Sequence, residues 1–251
     1  LDLVPAAPRR AYNMHDLIGI LVDHKKTFVL KPDFDKSVIT CLARLDGHPV
    51  GIIATNPMFS AGAMGPDGCD KAISFICLCD SFNIPLIFLH DTPGFFVTKA
   101  AEQKRMPGKI INFIEALSLA TVPKIAVVIR KSYGMAYSNL AGSGMGADFV
   151  FAWPGADISF MSPNVAVNVI SPDTPAANDE EQSAQARRRD ALRAELYSGS
   201  APWRAAGLAY LDDVIAPDQT RATLIAALAL ARGSRHGGIG KHCLAGWPTN
   251  F

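Results

Sequence analysis

The segment Lys124-Ile125-Ala126-Val127-Val128-Ile129 is an apolar run that reads as a buried strand. It ends in Arg130-Lys131-Ser132-Tyr133 and passes at once into the small-residue stretch Gly134-Met135-Ala136-Tyr137-Ser138. A buried strand that turns directly into a helix leaves the N–H groups of the first helical turn without internal partners. Such groups stabilise a developing oxyanion. The segment can therefore support chemistry without a catalytic side chain.

The rest of the chain is compatible with a layered fold around that strand. Its 251 residues, 49% apolar and 19% charged, make one large or two small domains with a real core and argue against disorder. A net charge of +1 gives no basic footprint for nucleic acid and no one-sided charge for a membrane surface. No apolar run approaches the roughly 20 residues of a membrane span. The five cysteines, Cys41, Cys69, Cys77, Cys79 and Cys243, form no C-x-x-C pair. Zinc and disulfide frameworks fail on that spacing, which leaves free, mostly buried thiols in a reducing compartment.

Residues 1–10 are Pro- and Ala-rich and read as a linker leading into the domain. Residues 12–22 have helical spacing. Segments 37–45 and 49–54 predict two strands around an Asp46-Gly47 hairpin turn. An amphipathic helix is expected over 67–81, a short buried strand over 86–89, and a second helix within 104–119 starting near Pro107. Strands are expected at 124–129 and 149–152. Residues 173–190 are polar and helical or loop-like, 218–232 form an Ala/Leu-rich helix ended by Gly233, and 237–251 are irregular. Alternating strands and helices imply an α/β layer fold.

Motifs along the chain then fall in a recognisable order. Thr121-Val122-Pro123-Lys124 and Arg130-Lys131-Ser132-Tyr133-Gly134-Met135-Ala136-Tyr137 match a "TVPK" strand followed by "RKaYGGAY". Arg10-Ala11-Tyr12-Asn13-Met14 matches "RxaYdm", and Leu45 to Ala54 matches "lDGrpVGivA". Asp80 to Pro85 and Asp91-Thr92-Pro93-Gly94-Phe95 match "DaFniP" and "DvPGF". Ala152 to Ala156 and Asp212-Asp213-Val214-Ile215 match "aWPtA" and "vDdVI". In these motifs the sequence resembles the C-terminal half of the carboxyltransferase (beta) subunits of biotin-dependent acyl-CoA carboxylases, over nearly its whole length. The resemblance implies a crotonase-like spiral of β-β-α units with flanking helices. Residues 11–251 would be the C-terminal carboxyltransferase domain, without the N-terminal half of the usual subunit.

The resemblance assigns roles to particular residues. Backbone amides at Gly134, Met135 and Ala136 would form an oxyanion hole; pattern alone favours a tight packing turn there. The family's second glycine is Met135 here, which keeps the amide but adds a side chain that would crowd or reshape the biotin pocket. Gly94 and Phe95 would supply a second wall of the pocket, against a plain Pro-Gly turn. Tyr137 and Ser138 would lie near biotin and the acyl chain, Ser138 alternatively being a helix-start hydroxyl bonded to an amide. Asp91 is a candidate general base, with capping of its own turn the competing role. Lys99, Lys104, Arg105 and Lys109 either meet coenzyme A phosphates or form a solvated helix end. The family's "GIIRxGA" is replaced by Gly108-Lys109-Ile110-Ile111-Asn112-Phe113-Ile114, so its arginine has no clear match. The six histidines lack metal spacing, and no metal is expected; His90, beside Asp91, is the one near the proposed site. Gly142-Ser143-Gly144-Met145-Gly146 is neither a nucleophile elbow nor a dinucleotide fingerprint.

The resemblance implies a carboxyltransferase that moves a carboxyl group between carboxybiotin on a carrier protein and the α-carbon of an acyl-CoA thioester. The alternatives are a biotin-dependent decarboxylase or transcarboxylase subunit, or a non-catalytic assembly domain of the same fold. Implied partners are an N-terminal carboxyltransferase domain, biotin carboxylase and biotin carboxyl carrier protein, in a homo-oligomer built as a trimer or hexamer. Alone, the domain would be nearly inactive. Its expected location is cytoplasmic or the mitochondrial matrix.

Overall fold

The computed structural model describes residues 3–234 apart from 6, 8, 9, 173, 176 and 177. The expected irregular tail at 237–251, with His236, His242 and Cys243, lies outside them. The strands are β1 (Thr27–Leu30), β2 (Val38–Leu45), β3 (His48–Thr55), β4 (Leu86–Thr92), β5 (Lys124–Tyr133), β6 (Phe149–Ala152), β7 (Asp157–Ser159) and β8 (Asp213–Val214). The helices are α1 (Met14–Leu21), α2 (Pro66–Ser81), α3 (Lys99–Gln103), α4 (Met106–Leu119), α5 (Gly134–Asn139), α6 (Pro163–Ile170), α7 (Asp179–Ser200), α8 (Pro202–Gly207) and α9 (Thr220–Ser234).

The strands form one eight-stranded mixed sheet in the order β1-β2-β3-β4-β5-β6-β8, with β7 also paired to β5. The β1-β2-β3 edge is antiparallel and β3-β4-β5-β6-β8 is parallel. Asp46 and Gly47 both have positive φ, 52° and 75°, as a two-residue hairpin turn matching the twist of its strands requires. That turn sets the register Leu45↔His48 through Val38↔Thr55.

Strand alternation divides the core. Leu86, Phe88, Ala126 and Val128 face the layer containing Ile73, Ile76, Phe113 and Leu117 of α2 and α4. Their neighbours Ile87, Leu89, Ile125 and Val127 face Leu17, Ile18, Leu224 and Leu228 of α1 and α9. Each fully buried large apolar side chain contributes about 1.5–3 kcal/mol. Gly51 lets α2 approach β3, since a Cβ there would lie 2.5 Å from Cys79 Sγ. Local chemistry starts the helices: Asn13 caps α1, Thr98 caps α3, and Ser162 caps α6. Asn178 caps α7, whose first turn carries Asp179, Glu180 and Glu181 against the positive end of the helix dipole.

Several expectations change. The strands expected at 86–89 and 124–129 continue to Thr92 and Tyr133, because a polar tail that pairs in the sheet carries no apolar signal. Gly233 does not end the last helix, which runs through it to Ser234. The polar stretch at 173–190 contains the start of α7, which runs on to Ser200. Strands β1, β7 and β8 and helices α3, α6 and α8 have no counterpart in the expected elements. Cys41, Cys69 and Cys79 are buried, Cys77 is half-buried, and all four are free thiols. Burial pushes the thiols of Cys77 and Cys41 up to about 11 and about 12.

Candidate active site

The C-terminal ends of the parallel strands β4 and β5 bring the Asp91-to-Phe95 turn alongside the start of α5. In such sheets this is the end where ligands bind. Gly94, with φ 125°, lies alongside the start of α5: an added Cβ would be in ordinary van der Waals contact, 3.9 Å, with the carbonyl oxygen of Tyr133, the residue preceding that helix. Gly134 has φ 57°, and an added Cβ would lie 2.8 Å from the Phe160 carbonyl oxygen, so the turn from strand into helix admits glycine alone without strain. Tyr133 makes no side-chain cap to α5. The first-turn amides at Gly134, Met135 and Ala136 therefore have neither a helical nor a capping acceptor. Ala136 is fully buried, whereas Met135 is 46% exposed, so its side chain is directed to solvent rather than into the domain.

Beneath this turn lies a buried charge cluster. Asp91 is completely inaccessible; its carboxylate is 3.0 Å from Arg130 Nε and 2.5 Å from Lys131 Nζ. Consecutive residues in a regular strand point to opposite faces. Here the β4–β5 ladder goes from His90↔Val128 directly to Thr92↔Ser132. Ile129, Arg130 and Lys131 thus oppose Asp91 alone, and this bulge lets both cations reach one carboxylate. The Asp91 amide donates to Thr55 Oγ1 at 2.8 Å, and an added Cβ on Gly62 would lie 2.2 Å from the Asp91 carbonyl oxygen.

Arg130 reaches further. Its Nη1 donates to the carbonyls of Pro5, Ala7 and Arg10 at 3.3, 3.1 and 2.8 Å. Its guanidinium lies over the Tyr12 ring, 5.1 Å from the centroid. Burial and the negative charge of Asp91 raise the Tyr12 hydroxyl well above its ordinary range, and burial and Asp157 do the same to Tyr133. Tyr133 also donates to Asp157, which anchors the end of β5 to β7.

Two expectations for Asp91 are overturned. A carboxylate sealed from solvent between two cations is in no position to act as a general base. Nor does it cap its own turn, since Thr92 Oγ1 accepts from the Gly94 amide at 3.1 Å. That bond engages the Gly94 amide, one of the two expected for the second wall. The Gly94 carbonyl and the Phe96 amide bond to Met64, and the bridge Met64↔Phe95 directs the Phe95 amide to the other side of its chain.

His90 is a structural residue. One ring nitrogen lies 2.6 Å from the Leu140 carbonyl and the other 3.1 Å from Ser132 Oγ. Burial lowers it to about 4, so the ring is neutral: Nε2–H donates to the carbonyl and Nδ1 accepts from the hydroxyl. Tyr137 packs edge-on against it, and its hydroxyl accepts from the Ser143 amide at 3.0 Å. Ser138 is half-buried in the body of α5 rather than at its start. In the basic cluster, Lys104 at the end of α3 pairs with Asp67 of α2 at 2.8 Å, and Lys109 pairs with Asp70 at 2.5 Å, tying α4 to α2, while Lys99 and Arg105 are exposed. Sequence reasoning assigned no role to Arg130, Lys131, Thr92 or Tyr12. The signal was present: two adjacent cations after an apolar strand, and one carboxylate after the strand beside it.

Among the described residues no group of His, Cys, Asp or Glu is placed to hold a metal ion, and no helix is long and apolar enough to cross a membrane.

The profile of the carboxyl transferase domain family matches residues 1–239. The chain is 38% identical over 235 residues to the carboxyltransferase subunit of propionyl-CoA carboxylase from Haloferax mediterranei, covering 93% of this chain and 45% of that subunit. It is also 38% identical over 234 residues to the alpha subunit of methylmalonyl-CoA decarboxylase from Propionigenium modestum, covering 93% and 44%. Among solved structures, hexameric transcarboxylase 12S with methylmalonyl-coenzyme A bound superposes with a TM-score of 0.86 at 35% identity, over 96% of this chain and 45% of that one. The α/β architecture is thus that of the crotonase-like carboxyltransferases, and the chain spans somewhat under half the length of these relatives. With these matches across nearly all of its length, the chain belongs to the carboxyl transferase domain family.

Proposed function

We propose that the chain works as the C-terminal half of a carboxyltransferase, residues 11–251 forming the domain and 1–10 leading into it. Its reaction would move a carboxyl group between a biotin carried on a partner protein and the α-carbon of an acyl-CoA. The observation that carries this reading is the uncapped start of α5, held at the end of β5 by the buried Asp91–Arg130–Lys131 cluster. The amides of Met135 and Ala136, with Gly134 shaping the turn, would stabilise negative charge on an oxygen facing them. Biotin, when bound in its carboxylated form, would supply the carboxyl group and, at its freed ureido nitrogen, a place for the α-proton. Gly94, Phe95, Tyr137 and Ser138 would border it: Gly94 admits close approach because it has no side chain, and the exposed Met135 side chain would crowd or reshape the same pocket. This chain's part is positioning and charge stabilisation, with no side-chain base.

A partner domain is supported by the surface. Phe160 is 81% exposed, and Met135, Val165, Val169, Ile170 and Trp203 are exposed with it. Helix α7, 22 residues long, buries only Ser200. A second carboxyltransferase domain covering this face would complete the site and build the oligomer, with biotin carboxylase and carrier protein as further partners, in the cytoplasm or mitochondrial matrix. The equal identity to a decarboxylase subunit supports a second reading in which the same site runs toward decarboxylation or transcarboxylation. One transition state serves both directions.

The test is transfer of labelled carboxyl from methylmalonyl-CoA to free biotin, by the chain combined with its N-terminal half. Transfer that requires both parts is expected. Correctly assembled complex without transfer, and without calorimetric binding of biotin or propionyl-CoA, would leave a non-catalytic assembly domain.

A further inference from the structure

The guanidinium of Arg130 joins two things the fold otherwise keeps apart. On one side Nη1 holds three carbonyls of the N-terminal segment, at Pro5, Ala7 and Arg10. On the other, Nε pairs with Asp91, the carboxylate that also holds Lys131. Lys131 lies three residues before Gly134 and is paired across to Asp157 in the short β5–β7 ladder, which runs to Tyr133, the residue preceding α5. Leu3 and Val4 of the same N-terminal segment pack on the layer of α1 and α9.

The segment binds through backbone carbonyls alone in this contact. Its attachment therefore depends on its path, not on its side chains, and a guanidinium fork spans several acceptors where an ammonium acts as a point charge. Charge-assisted bonds of this kind, shielded from water, are stronger than neutral ones. Asp91 cannot shift without moving either its cations or the Gly62 backbone packed against its carbonyl oxygen. Displacement of the N-terminal segment would remove acceptors from Arg130, loosen its hold on Asp91, and free the Lys131-to-Tyr133 end of β5 that leads into α5.

We infer that Arg130 is a positioning residue that makes the geometry of the Gly134–Ala136 turn conditional on its hold on Pro5, Ala7 and Arg10. For catalysis, this rests on the proposed function of that turn; the mechanical coupling does not.

Two measurements separate those layers. Amide hydrogen exchange is followed in the 251-residue chain for wild type, Arg130→Lys, Arg130→Met and a deletion of residues 1–8. Exchange at 140–142, whose amides bond back to the Ala136, Ser138 and Tyr137 carbonyls of α5, should rise about tenfold in Arg130→Met and in the deletion, less in Arg130→Lys, with the two lesions non-additive when combined. Exchange in β3 should stay unchanged, which a general loss of structure would not allow. If Arg130→Met does not fold, Arg130→Lys and the deletion carry the comparison. A deletion that leaves 140–142 at wild-type exchange, or effects that simply add, overturns the coupling. In the reconstituted enzyme, Arg130→Lys should lower kcat with KM unchanged, and unchanged kcat overturns the positioning role. Failure of wild-type transfer would count against the proposed function while leaving the exchange result standing.

Discussion

Arg130 Nε lies 3.0 Å from the carboxylate of Asp91, and that pair is where the motif after β4 and the motif after β5 become one structure. The same carboxylate takes Lys131 because the strand bulges, so three charges are buried as a set with net charge +1 before the Tyr12 ring and three carbonyls are counted. Buried ion sets of this kind are costly to break.

Asp91→Asn should therefore destabilise the domain by about 3–5 kcal/mol, because two buried cations lose their counter-charge. Urea unfolding at neutral pH measures this. A loss below about 1 kcal/mol would mean that the cluster is open to water.

His90 predicts acid sensitivity. Its folded value is about 4 against an ordinary 6.5, so between those values the unfolded chain binds a proton that the folded chain does not. Stability from this residue is complete above 6.5 and is lost as pH falls toward 4, by up to about 3 kcal/mol. Urea midpoints between pH 7 and 4.5 should fall more steeply in wild type than in His90→Gln. Parallel slopes would sink the assignment.

Gly62→Ala and Gly144→Ala separate strain from collision. Both glycines have positive φ, 83° and 78°, but only Gly62 faces a backbone atom, the Asp91 carbonyl oxygen at 2.2 Å from an added Cβ. Gly144→Ala should cost about 1–2 kcal/mol. Gly62→Ala should cost about 2–5 kcal/mol, since a backbone collision is added to the same strain. Thermal or urea unfolding of both variants gives the difference directly.

Met135→Pro removes an amide while keeping an exposed, non-polar side chain at the first helical turn, where proline is tolerated. Carboxyl transfer should fall about 100- to 1,000-fold if that amide stabilises charge. Met135→Ala keeps the amide and should hold both stability and rate near wild type. Equal rates for the two variants would remove Met135 from the oxyanion hole.

The sequence by itself determined the periodic and local features. The apolar runs of β3, β4 and β5, the Asp46-Gly47 hairpin, the proline near the start of α4, and the glycine at the β5–α5 turn were all legible, because burial and turn geometry impose residue types at fixed spacing. The order of motifs carried the family and with it the crotonase-like fold. What only the tertiary structure decided is where the polar residues of those motifs spend their charges. Asp91 read as a base or a cap; the β-bulge, invisible in periodicity, made it the counter-ion of Arg130 and Lys131. Met135 read as a side chain that crowds or reshapes the pocket; that it stands exposed at the surface of this domain depends on which face of a six-residue helix the fold leaves open. The Arg130 contacts to Pro5, Ala7 and Arg10 join positions some 120 residues apart through backbone acceptors, which every residue type offers, so no side-chain pattern announces them.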